Sequence, residues 1–233
     1  MDFSVLQDDV TYLLWGTFPD GALAGAALTL VMSVIACVAA FVFGVLGGVV
    51  TVMCRQWPVK LLSLLLIFLR SIPVLMLFFW TFFLLPILFG RHVSGVATVI
   101  VCLSAIYAAY IAQIVTAGLH ALPAGQWQAG LSLGLTRWQT LRHVALPQAL
   151  KMMSPSFINQ AVALTKDTSL AYILSVNELT MLATQVNGRL MVYAVEVFLF
   201  CGVIYLLFCG SLELVALMLK QHLGRSPHTS RNA

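Results

Sequence analysis

Charge is what this sequence has least of: 12 Lys and Arg and 8 Asp and Glu among 233 residues, 9% in all, against roughly 25% in an ordinary soluble domain. With 61% hydrophobic residues, the chain cannot be a water-soluble globule, and its length leaves room for about five membrane crossings but no large extramembrane domain. The formal excess of +4 is small and scattered, without the basic stripe that nucleic-acid binding requires. Cysteine is sparse too: Cys37, Cys54, Cys102, Cys201 and Cys209 sit in or beside apolar runs at no metal-ligand spacing, which favours small buried side chains over a disulfide framework or a redox pair. The histidines (His92, His120, His143, His222, His228) show no paired ligand spacing, so no metal site is expected. No G-x-x-x-x-G-K-[ST] phosphate loop and no nucleophile with its base occurs, so no catalytic residues are assigned. The amino terminus carries Asp2, Asp8, Asp9 and Asp20 and no cation, the wrong flank for a cleaved signal, and its first apolar segment is expected to stay.

What is present is long apolar runs. Residues 21–54 hold no charge at all and end at the basic turn Arg55-Gln56-Trp57-Pro58-Val59-Lys60, whose Trp suits a membrane interface. Further spans are expected at 61–89, interrupted by Arg70 and closed by Gly90-Arg91-His92, at 93–119, at a polar-tinged 148–174 and at 190–219. The expectation is therefore an all-α polytopic membrane protein of about five transmembrane helices: an external segment 1–20, a membrane domain 21–219 and a short tail 220–233. An outside amino terminus puts eight cations in the cytoplasm (Arg55, Lys60, Arg137, Arg142, Lys151, Lys220, Arg225, Arg231) against three outside (Arg91, Lys166, Arg189), which sets the orientation and leaves the tail cytoplasmic.

The cytoplasmic connection at about 120–151 is long for neighbouring helices, which usually need 2–8 residues, so it should have structure and a task of its own. Thr136-Arg137-Trp138-Gln139 fits a capping box and predicts a helix start. Gly134 suits the left-handed end of a preceding helix, and Pro147 marks a further boundary. Trp127, Leu131, Trp138 and Leu141 give the loop apolar faces, fit either to dock on a soluble partner or to lie on the lipid surface.

The spacing separates these two. Gln128-Ala129-Gly130, three residues, Gly134, nine residues, then Val144-Ala145-Leu146-Pro147 resembles the EAA motif of ABC-importer permeases, E-A-A-x3-G-x9-I-x-L-P. Gln128 replaces the usual Glu, keeping reach but losing charge, and Gly130 replaces Ala, at roughly 1 kcal/mol of helix propensity. Leu69-Arg70-Ser71-Ile72-Pro73, Ala109-Tyr110-Ile111-Ala112-Gln113 and Lys166-Asp167-Thr168-Ser169-Leu170 resemble further boxes of the polar amino-acid subfamily, with Gln113 again in place of Glu. The Ser71-Ile72-Pro73 variant, with Phe79-Trp80 and Leu85-Pro86, is most similar to glutamate and aspartate permeases. The resemblance implies a type I ABC-importer permease fold, with Gln128, Ala129, Gly130, Gly134, Arg137, Trp138, Leu146 and Pro147 as the coupling element. It also implies ABC ATPase subunits carrying ATP and Mg, a second permease subunit (same chain or different) and an external amino-acid-binding protein as partners, all in bacterial inner-membrane lipid.

Polar groups at membrane depth cost several kcal/mol unless paired or wetted, so each has a structural and a functional reading. Arg70 pins a helix disturbed by Pro73, or meets an acid or a substrate. Lys166 and Asp167 follow Ser154, Pro155, Ser156, Asn159 and Gln160, too polar a run to face lipid; Asp167 suits a substrate ammonium and Lys166 a carboxylate, against mutual pairing or exposure at the outer rim. Gln113, Thr168 and Ser169 complete the expected pathway set, interhelical hydrogen bonding being the alternative for Gln113. Glu196 and Glu213 are expected to snorkel or to pair with Arg189 and Lys220. Gly44 and Gly48, like Gly21 and Gly25, have small-xxx-small spacing that permits close helix contact. The rival readings are a gradient-driven transporter, which usually shows paired repeats not visible here, and a membrane scaffold, for which the polar fourth span is awkward.

Overall fold

The computed structural model describes residues 9–54, 57–90 and 93–224, and every named element among them is helical. The basic turn at Arg55-Gln56, the closure at Arg91-His92, Asp2, Asp8 and the tail from Arg225 onward lie outside the described residues.

A short α1 (Val10–Trp15) leads into α2 (Gly25–Met53), whose 29 residues reach about 44 Å at 1.5 Å per residue, more than a hydrocarbon core of about 30 Å. Along α2 the small residues Ala36, Ala40, Gly44 and Gly48 recur every fourth position and are all buried. They face α6 (Gly95–Ala121), started by Ser94, whose hydroxyl accepts from the Ala97 amide at 3.2 Å. A Cβ on Gly44 would stand 2.6 Å from the Ile111 side chain, and one on Gly48 2.7 Å from that of Val115, so both glycines permit an intramolecular contact. The main core forms here: Met32, Val99, Leu103, Ile106 and Val115 are buried between these helices and their neighbours.

The expected second span is not straight. α3 (Trp57–Ser71) stops at Ile72-Pro73, where the proline lacks an amide and restricts the residue before it; α4 (Val74–Phe79), a π turn (Trp80–Leu84) and α5 (Leu85–Phe89) follow. The two halves, Val59–Ser71 and Val74–Leu88, meet at 107°, making a broken element where one continuous span was expected.

Beyond α6 come α7 (Ala124–Ser132), α8 (Arg137–Thr140), a π turn (Leu141–Ala145) and α9 (Leu146–Asp167), which begins with Pro147 in its first turn, where a missing amide is harmless. α9 is long enough to cross but too polar to do so against lipid; α2, α6 and α11 (Ala194–Gly224) pack along it. By length and apolar character, α2, α6 and α11 are the three straight candidate spans, and the bent pair is a fourth.

Two sequence expectations fail in the last third. A 3₁₀ stretch (Thr168–Leu174) is followed by an unforeseen α10 (Leu179–Leu190), so α11 starts at Ala194, four residues later than expected, and it stays helical to Gly224, past the expected limit of 219. Arg189, on α10, pairs with Asp9 at 3.1 Å and lies over the Tyr12 ring, while Glu196 is buried, because α10 turns the arginine toward α1. A second, smaller core joins α1, α10 and the amino-terminal ends of α2 and α11 through Leu13, Leu179, Leu182, Val186 and Val197.

Candidate functional site

The connection between α6 and α9 is a prong. α7 starts after Pro123, and Gly134 takes φ +80°, reversing the chain where a side chain would be strained. α8 opens with the expected reciprocal cap: the Gln139 amide donates to the Thr136 hydroxyl at 3.3 Å and the Thr136 amide to the Gln139 carbonyl at 2.8 Å. The two helices meet at Gly130 and Thr140, where a Cβ on Gly130 would stand 2.5 Å from the threonine methyl. Glycine in place of the motif's alanine is thus matched to its neighbour. Below the prong, Gln148 donates to the Val144 carbonyl and to the Gln126 side chain, tying α9 to α7. Gln128, Ala129, Leu131, Leu133, Gly134, Arg137, Trp138 and Gln139 are exposed, Gly130 is buried, and half-buried Leu146 with exposed Pro147 forms the root.

The polar residues expected along one path occupy three places. Arg70 and Gln113 face each other across a cavity of about 260 Å³ between α3 and α6, joined there by Thr51, Ser63 and Thr116. Arg70 also donates from Nε to the Leu66 carbonyl at 3.2 Å, and the Tyr110 hydroxyl reaches the Arg70 carbonyl at 3.5 Å, which holds the end of α3 before the break. Asn159 and Lys166 line two adjoining hollows between α9 and α11, of about 600 and 520 Å³, which share Glu213; Ser156 and Lys220 sit at one end and Tyr205 at the other. Gln160 borders a mainly apolar cavity of about 290 Å³ with Phe41, Tyr107 and Phe157. Asp167 accepts a 2.8 Å hydrogen bond from Tyr107, so it turns toward α6 while its neighbour Lys166 turns toward α11. Thr168 is buried and donates to the Thr165 carbonyl at 2.7 Å, and Ser169 is half-buried in the 3₁₀ stretch.

Sequence reasoning passed over a polar knot at the start of α10. Glu178 is fully buried at the start of α10; one carboxylate oxygen accepts from the Thr180 amide and the Tyr205 hydroxyl, the other from the Met181 amide, each at 2.9 Å. Beside it, the Leu179 amide donates to Thr29 on α2 at 3.1 Å, and the Gly25 amide to the Asn177 carbonyl at 2.9 Å. Burial pushes the Glu178 carboxyl from 4.5 up to about 7, although its three hydrogen-bond donors pull the other way. The usable signal was the helical spacing of Leu179, Leu182, Ala183 and Val186 after a capping acid; the Tyr107 and Tyr205 partnerships span 60 and 27 residues and leave no local trace.

Residues 40–225 match the family model described as "Binding-protein-dependent transport system inner membrane component". The chain is 34% identical over 196 residues to the probable glutamine ABC transporter permease protein GlnP of Bacillus subtilis, covering 82% of this chain and 88% of that one. It is 31% identical over 235 residues to the glutamate/aspartate import permease protein GltK of Escherichia coli O157:H7, covering 94% and 97%. Among solved structures, an amino acid ABC transporter crystallised with histidines superposes with a TM-score of 0.83 at 22% identity, over 95% of this chain and 99% of that one, a likeness of fold. The inward-facing MetNI methionine transporter does so with a TM-score of 0.71 at 20% identity, over 94% and 99%. With the all-helical bundle and its capped prong, these matches make the chain a multi-pass inner-membrane protein of the binding-protein-dependent transport family: a permease subunit of an ABC importer for polar amino acids, and not itself an enzyme.

Proposed function

We propose that residues 124–147 are the coupling element through which a separate ATPase subunit drives this permease, and that the amino terminus is outside and the carboxyl terminus cytoplasmic. The supporting observation is the prong itself: two short helices reversed at Gly134, capped by Thr136 and Gln139, rooted at Leu146-Pro147 and exposed where an interface needs it. Nucleotide-driven movement of the ATPase, which holds ATP and Mg, displaces the prong and rocks α9, into which it leads directly. The substrate reaches the outer face on a binding protein, and a second permease subunit closes the path. A nucleotide shifts such states only through differential affinity, so the prong contacts the ATPase differently in each.

The substrate class we infer is the acidic amino acids. Arg70 beside Gln113, Ser63 and Thr116 offers a cation and neutral donors to a carboxylate, and Lys166 offers a second cation farther along. The domain division is an external segment 1–20, a membrane body 21–219 and a cytoplasmic end. Gly134→Trp and Gly134→Glu test the coupling role: both should insert normally and lose ATP-driven uptake in vesicles carrying the whole complex, while Gly134→Asn, which tolerates the left-handed backbone, retains much of it. Unchanged uptake by the first two variants would contradict the role. Competition by glutamate and aspartate, but not by glutamine or basic amino acids, is the expected substrate result.

A further inference from the structure

No Asp or Glu occurs between Asp20 and Asp167, so the charged residues of the prong and its root are all cations: Arg137 on α8, Arg142 in the π turn and Lys151 on α9, all exposed. At Gln128, where the motif usually has its one acid, the side chain is a neutral amide.

Exposure also runs all round the tip. From 128 to 139 only Gly130 is buried and Leu135 half-buried, and the exposed set mixes apolar Leu131, Leu133 and Trp138 with polar Gln128, Ser132, Thr136 and Gln139. A helix pair lying on lipid would present one apolar face and one wet one. Apolar and polar side chains interleaved along the whole exposed tip fit a concave protein socket that surrounds it.

We propose that this socket, on the ATPase subunit, is lined by acidic side chains, and that the Gln128 site is the result: a carboxylate there would face negative charge. The inference rests on the coupling reading and names the chemistry of its partner. Opposed charges steer encounter and fix register more than they add affinity, so salt dependence and the sign of charge changes report it.

The test uses the full chain in nanodiscs of uncharged lipid, with the cognate ATPase subunit titrated from about 50 to 500 mM salt. Wild-type binding should weaken as salt rises. Arg137→Glu with Arg142→Glu should weaken it roughly tenfold at low salt, and Gln128→Glu about threefold, with both penalties shrinking at high salt. Tighter binding by Gln128→Glu would mean that the socket offers a cation, overturning the proposal, as would binding indifferent to both salt and reversal. If anionic-lipid nanodiscs shield Trp138 fluorescence without ATPase and the reversals abolish only that shielding, the cations belong to lipid and the proposal fails. Failure of the wild-type chain to bind ATPase at all would instead remove the coupling reading beneath it.

Discussion

The two ends of this molecule are built on opposite rules. At one end, α1, α10 and the amino-terminal tips of α2 and α11 are locked by groups that answer one another: Glu178 with Tyr205, Thr29 with the Leu179 amide, Tyr12 with Gln185, Arg189 with Asp9. At the opposite end, the tip of the prong is held by its own cap and by the Gly130–Thr140 contact, with Gln126 and Gln148 joining its root, and it leaves three large apolar side chains and its cations exposed. Buried polar groups that are fully satisfied fix a single arrangement, whereas exposed apolar groups at a capped tip wait for a surface from elsewhere. Within one chain, then, one end is closed by its own contacts and the other leaves apolar and charged side chains uncovered.

The largest effect should come from breaking the closed end. Glu178→Leu strands the Tyr205 hydroxyl and the Thr180 and Met181 amides in a buried site, which should cost on the order of 3 kcal/mol, read as a lower unfolding temperature of the detergent-solubilised protein. The same group predicts a pH dependence. Because its folded value of about 7 lies above the ordinary 4.5, the folded state holds a proton that the unfolded chain has released between those values. The stabilising effect is complete below pH 4.5 and is lost as pH rises to about 7, a fall on the order of 3 kcal/mol. Glu178→Gln, with nothing to titrate, should flatten that slope; a slope equal to wild type would show that another group carries it.

At the uncovered end the corresponding break is steric. Gly130→Ala restores the residue usual in the motif, yet its Cβ would press within 2.5 Å of the Thr140 methyl and 2.9 Å of its hydroxyl. Forcing α7 and α8 apart should cost about 1–3 kcal/mol locally. Uptake should fall while the unfolding temperature of the bundle stays nearly constant, since Gly130 and Thr140 belong to neither core. Adding Thr140→Ala should restore uptake; failure to do so would mean that the glycine matters for a reason other than this contact.

Much of the prong was legible in the sequence because its determinants are local. A capping box needs four residues, a left-handed glycine needs one, and Thr136–Gln139 and Gly134 adopt what their spacing predicts. Gly44 and Gly48 likewise mark the close approach of α2 to α6, since only small residues at four-residue spacing allow it. Pro73 announces a break, but local rules carry no angle, and the 107° turn comes from how the two halves pack afterwards. α10 is a 12-residue helix lying between two apolar runs, too short to register when spans are sought by length. The pathway residues dispersed for a geometric reason: neighbours on a helix point about 100° apart, so Lys166 and Asp167 serve different partners despite adjacency.

The smallest effect belongs to the one ion pair among the described residues. Arg189 and Asp9 meet at 3.1 Å, but the arginine side chain is 57% exposed and the aspartate 18%, so water and salt screen most of the attraction. Arg189→Ala should therefore cost under about 1 kcal/mol, including the lost packing over Tyr12, and the charge part should vanish at high salt. Measuring it beside Glu178→Leu tests where the end built on α1 and α10 keeps its strength. If Arg189→Ala proved as damaging as Glu178→Leu, the lock would lie in the surface contact between α1 and α10, and the buried carboxylate beneath them would be secondary.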